Sequence, residues 1–120
     1  MSATVYKLIH LVGIFAVLIA VGGICFHAAV GGAKSNEKHR LATLLHGVGL
    51  FLVLLGGFGM LAKLSISVAS GWVLVKLAIW IAIGALVAIP YRKPDQAINV
   101  AMLTLLLAIV AGVLALYKPF

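Results

Sequence analysis

His10, His27, His46, Lys76 and Trp80 all lie within strongly apolar stretches of the sequence. Polar and ionisable groups at membrane depth are costly to hold, so each needs a partner or a ligand. A neutral imidazole can ligate a metal or a haem iron, and a lysine ammonium can hold a carboxylate. His46 is the first candidate. It falls in register with Ala42, Gly49 and Gly56, small residues repeating every seven positions, which places its ring inside a bundle. There it would either bind a metal or bond to a neighbouring helix. His27 follows Gly23 by four residues on a similar stripe. If its segment runs antiparallel to that of His46, both rings approach one membrane face. Bis-histidine ligation of one iron by His46 and His27 is then one expectation, and an interfacial His27 is the other. His10 and Lys76 match in depth near the opposite face, where a His–Lys pair could hold a haem or porphyrin propionate. The plainer alternative for Lys76 is snorkelling to the headgroups. His39, beside Arg40, reads as a solvated helix end. Trp72 reads as an interfacial anchor, and Trp80 as a packed residue deeper in its span.

The elements that must position these side chains are long apolar runs. Of 120 residues, 65% are hydrophobic and 9% charged, and the mean hydropathy is +1.29. A soluble domain would need a far more charged shell. Apolar runs of about 18 residues or more read as membrane spans, and four are expected, at residues 6–30, 39–61, 71–89 and 96–117. The fold class is therefore all-α: an integral membrane four-helix up-down bundle forming a single domain over residues 1–120. Short connections make successive helices antiparallel neighbours. Gly31 and Gly32 close the first run, and residues 33–38 form a polar loop. Pro90 and Pro94 bracket Tyr91-Arg92-Lys93 in a turn that a helix does not readily cross.

Small residues mark the faces expected to point inward: Gly13, Ala16, Ala20 and Gly23 in the first span; Ala78, Ala82 and Ala85 in the third; Ala101, Thr104, Ala108, Ala111 and Ala115 in the fourth. Leu, Ile and Phe are left to face lipid. The net charge of +7 sits at helix ends and in loops, which suits anionic headgroups rather than nucleic acid. Lys34, Lys38, Arg40, Arg92 and Lys93 share one side, against Lys7, Lys63 and Lys118 on the other. That bias favours non-cytoplasmic termini in a bacterial inner membrane. The first run is too long for a signal-peptide core and lacks a small-x-small cleavage site. Cys25 is the sole cysteine and reads as a packed thiol. Glu37 and Asp95, the only acids, lie in loops. A proton relay built on intramembrane acids, or a hydrolase, therefore has little to work with.

Three pieces together suggest a family. Tyr6-Lys7-Leu8-Ile9-His10 opens span one, Leu44-Leu45-His46 lies in span two, and Gly71-Trp72 precedes Val75-Lys76-Leu77 in span three. Their order and spacing, over about the first ninety residues, resemble the SirB family of small bacterial membrane proteins. They are also similar to the related HemJ-type proteins (protoporphyrinogen oxidases) and to the CopD copper-resistance domain. The resemblance implies haem or porphyrin association, with His10 and Lys76 as the functional pair by HemJ analogy and His46 as the SirB-like histidine. For an enzyme it implies a porphyrinogen-oxidase-like membrane oxidoreductase.

The leading expectation is a protein binding haem b or a porphyrin, with His46 as axial ligand, His27 or His10 as the second, and Lys76 on a propionate. A competing expectation is a cofactor-free accessory subunit, packing its small-residue stripes on partner membrane proteins or on further copies of itself. Copper handling ranks last, because Met1, Met60 and Met102 form no cluster and Cys25 stands alone.

Overall fold

A computed structural model describes residues 2–33 and 37–118. Lys34 and the rest of residues 34–36 in the first polar loop, together with Met1, Pro119 and Phe120, lie outside the described residues. The chain forms α1 (Ala3–Ala29), α2 (Glu37–Lys63), α3 (Gly71–Leu86), a short 3-10 turn (Pro94–Gln96) and α4 (Ala97–Tyr117). The all-helical four-helix bundle expected from the sequence is present.

Three stretches are long and apolar enough to cross a membrane: Ala3–Ala29, Glu37–Lys63 and Pro94–Tyr117. The third apolar run is shorter than its expected 71–89 extent. α3 stops at Leu86 after 16 residues, about 24 Å at 1.5 Å per residue, against a hydrocarbon core of about 30 Å. Residues 87–93 turn instead, with the Ala88 and Ile89 amides bonding back to Ala85 and Leu86 ahead of the fully buried Pro90. A proline lacks the N–H to continue the ladder and disfavours helix just before it.

Local chemistry sets the other ends. The Ser2 hydroxyl caps α1 by accepting from the Val5 amide at 3.3 Å. α1 closes through Gly31, whose φ of +89° suits a residue without Cβ. The Gly32 amide then donates to the His27 carbonyl at 2.8 Å. Lys118 ends α4 in the left-handed conformation, its amide donating to the Leu114 carbonyl at 2.9 Å.

α1 and α2 form the most extensive helix pair, and glycine is the reason. A Cβ on Gly13 would lie 2.6 Å from the Val53 nitrogen and 2.7 Å from the Gly49 oxygen, and a Cβ on Gly49 would lie 2.9 Å from the Val17 nitrogen. A Cβ on Gly56 would meet the Tyr6 carbonyl at 2.6 Å. The backbones touch where side chains would hold them apart, the close-packing mode that helices use in lipid. α4 packs on α1 through Val17, Val21, Cys25 and Val100. α3 packs on α4 through Trp72, Val73, Ile79 and Leu114. The seam between α2 and α3 is the thinnest helix–helix contact.

The small-residue faces are inward in α1, α2 and α4, with one exception. Gly13, Ala20, Gly49, Gly56 and Thr104 are buried, whereas Gly23 is exposed with open space beside it. In α3 the expectation fails. Ala78 and Ala85 are exposed, and Trp72, Val73 and Ile79 point inward. α3 docks by large side chains, which meet Leu107, Ala111 and Leu114 of α4.

Candidate functional site

The glycine contacts fix the depth of every histidine. Gly13 lies against Gly49, Val17 against Gly49, and His10 against Gly56. Each step up α1 is thus a step down α2. Extending that register sets His46 level with residues 16–20 of α1. His27 lies at least seven residues beyond that level, about 10 Å along the axis. His10 lies at least six residues short of it on the other side, about 9 Å. The three rings occupy three depths. The expectation that His46 and His27 converge on one iron is not what this packing offers, because the close α1–α2 register leaves no slack to bring them level.

His46 is buried, at 5% exposure, and neither ring nitrogen has a hydrogen-bond partner. The Gly84 backbone of α3 is a polar neighbour but does not reach hydrogen-bond geometry. Beside it, the Trp80 indole N–H donates to the Leu50 carbonyl at 3.0 Å, and Leu50 lies in van der Waals reach of Gly84. His46 therefore sits in the seam where α3 meets α2 only lightly. The packed Trp80 expected from the sequence is found here, with its N–H satisfied. On α4, Thr104 is a second buried polar residue, 2% exposed, whose hydroxyl also lacks a partner. Sequence reasoning placed Thr104 on an inward stripe without giving it a role.

His10 is half-buried, and its Nδ1 lies 2.8 Å from the Val53 carbonyl. A carbonyl only accepts, so Nδ1 carries the proton and Nε2 is left bare. A backbone acceptor on one nitrogen fixes the tautomer with the other free, as second-shell partners do for ligating histidines. Lys76 exerts a minor electrostatic influence on this ring, although the α1 and α3 backbones make no close approach among the described residues. The Lys76 ammonium itself reaches back one helical turn, 5.8 Å from the Trp72 ring centre. Lys118 approaches the same ring at the same distance. Trp72 is more than the interfacial anchor expected: it is 9% exposed and part of the core.

His27 is engaged elsewhere. Its Nδ1 pairs with the Tyr91 hydroxyl at 2.6 Å, and its ring meets the Tyr91 ring edge-on at 5.7 Å. His39 is not a solvated helix end. Its ring packs edge-on against the other side of this cluster, 5.1 Å from Tyr91, with Nε2 3.4 Å from the Thr43 hydroxyl and a buried, unpartnered Nδ1. Gly32 closes over His27 so tightly that any Cβ there would collide with the imidazole. Burial, with Cys25 nearby, raises the Tyr91 phenol above its ordinary pKa, so it stays neutral across the physiological range. Tyr91 went unnoticed in the sequence because only its flanking prolines gave a signal, and those indicated a turn.

Among the described residues, no three His, Cys, Asp or Glu side chains cluster as a metal site. Cys25 is free and fully buried. What the interior holds is one orphaned imidazole in a lightly packed seam, flanked at other depths by two histidines that already have partners. No family model, no curated protein and no solved structure matches the chain.

Proposed function

We propose that this small, all-helical, membrane-spanning protein binds haem b or a related porphyrin, with His46 as its axial ligand. The observation that carries the reading is the unpartnered His46 ring. A buried polar group without a hydrogen bond costs about 1–3 kcal/mol and is uncommon unless an ion, water or ligand completes it. A neutral imidazole in a helical bundle is a usual axial ligand for haem iron. The location suits a flat group. His46 faces Gly84 across the α2–α3 seam, and α3 is held mainly by α4, so widening this seam breaks the fewest contacts. When bound, the haem would supply one-electron chemistry; the chain contributes the ligand, the apolar walls and the exclusion of water.

His10 is the second candidate ligand, with its bare Nε2 and with Lys76 at hand for a propionate. It would serve a separate position nearer the membrane face, since it does not share a depth with His46. His27 keeps its bond to Tyr91 through Nδ1, so only its Nε2 could ligate, and Gly32 crowds that nitrogen. Binding of haem for electron transfer, for haem handling or for oxidation of a porphyrinogen would all use the same His46 contact.

The test is titration of haem into purified protein in mild detergent, followed in the Soret band. Wild-type protein should bind about one haem per chain. His46→Ala should weaken binding by at least about tenfold, about 1.4 kcal/mol. Equal titrations for wild type and His46→Ala would remove His46 from the site. Loss in His10→Ala alone would move the site to the other position.

The accessory-subunit reading keeps one observation of its own: the light attachment of α3 to α2, which a partner helix could complete. Colourless protein that copurifies in a stoichiometric complex would favour it.

A further inference from the structure

The face that carries the starts of α1 and α3 and the ends of α2 and α4 has lysines but no acidic side chain. Lys7, Lys63, Lys76 and Lys118 belong to it, while Glu37 and Asp95 lie at the other end of the bundle. Two of these lysines meet the same aromatic ring. The Lys76 and Lys118 ammonium groups each stand 5.8 Å from the centre of the Trp72 ring, and they are near enough to repel one another. Trp72 is fixed in the core with Leu61, Val73 and Leu114, and the left-handed cap of α4 anchors the Lys118 backbone through Leu114. Cation–π attraction, about 0.5–1 kcal/mol at exposed sites, offsets part of the repulsion. Each ammonium still has three donors to satisfy.

We propose that Lys76 and Lys118, gathered about Trp72, bind the phosphate headgroup of an anionic phospholipid. Depth selects the source. Lys76 lies in the second turn of α3 beside exposed Leu74 and Val75, so an anion held there has apolar protein next to it, as a headgroup with acyl chains requires. Basic positions between membrane helices recognise anionic headgroups in this way. The site does not rest on haem binding at His46, but it shares Lys76 with the propionate position beside His10, so it is assayed on haem-free protein.

Native mass spectrometry of the detergent-solubilised protein, with phosphatidylglycerol or phosphatidylcholine added, provides the test. Wild type should retain phosphatidylglycerol about tenfold better than phosphatidylcholine. The preference should disappear in Lys76→Gln/Lys118→Gln and persist in Lys7→Gln/Lys63→Gln, which removes equal charge from the same face. Lys118→Gln alone alters only an exposed side chain, so it should reduce retention without disturbing the fold. Equal retention in all variants, or equal loss in both double variants, would overturn the proposal in favour of a diffuse field. Displacement of the lipid by millimolar inorganic phosphate would reassign the site to a soluble anion and overturn the lipid assignment.

Discussion

The His27 imidazole and the Tyr91 hydroxyl, 64 positions apart in sequence, share a 2.6 Å hydrogen bond that ties the end of α1 to the turn between α3 and α4. Tyr91→Phe keeps the ring contacts but removes the hydroxyl. It should lower stability by about 0.5–1.5 kcal/mol, read as a shift in the denaturant midpoint in detergent. Gly32→Ala displaces the same imidazole, so combining the two substitutions should cost less than their sum. Full additivity would mean that the bond does not hold the turn.

The α1–α2 contact rests on missing side chains. Gly49→Ala drives a methyl into the backbone of α1 at Val17 and Gly13, and the resulting overpacking should cost about 1–3 kcal/mol. Gly47→Ala, two residues earlier with nothing within 4 Å of its new methyl, should be neutral or slightly stabilising. The pair is compared by thermal unfolding, and similar losses for both would contradict the register that sets the histidine depths.

Trp80 spans the thin seam. Trp80→Phe loses the N–H donated to Leu50, worth about 0.6 kcal/mol for an average polar contact between membrane helices. Amide exchange in α3 should quicken while α1 and α2 keep their protection. Uniform acceleration across all helices would show that α3 is not the separately held element.

His10 and His46 sit at different depths, and their substitutions should separate accordingly. His10→Ala removes the bond to Val53 and should cost about 1 kcal/mol of stability, leaving haem affinity at His46 within about twofold, under about 0.5 kcal/mol. A joint loss of affinity would mean the two rings act on one group.

Much of this architecture was legible in the sequence. The apolar runs gave four helices, and the repeats of Gly13, Gly49 and Gly56 marked faces that do meet. α3 was misread twice, in its length and in its inward side. Pro90 acts from beyond the helix, and an alanine stripe cannot tell by itself whether the neighbouring helix offers large or small residues. His10 and Lys76 were matched in depth because their distances from helix starts are short. The pairing of His46 with His27 depended on an exact register, and that register is set by backbone contacts at glycines rather than by any polar pattern. Tyr91 was invisible as a partner because a turn residue acquires its neighbours only when three segments converge on it.

The most direct measurement is a reduced-minus-oxidised absorption spectrum of the protein purified in mild detergent from haem-replete cells. A sharp b-type signal near one haem per chain, absent in His46→Ala, is the predicted result. A flat spectrum from fully helical wild-type protein would contradict the haem reading and leave His46 to a partner helix.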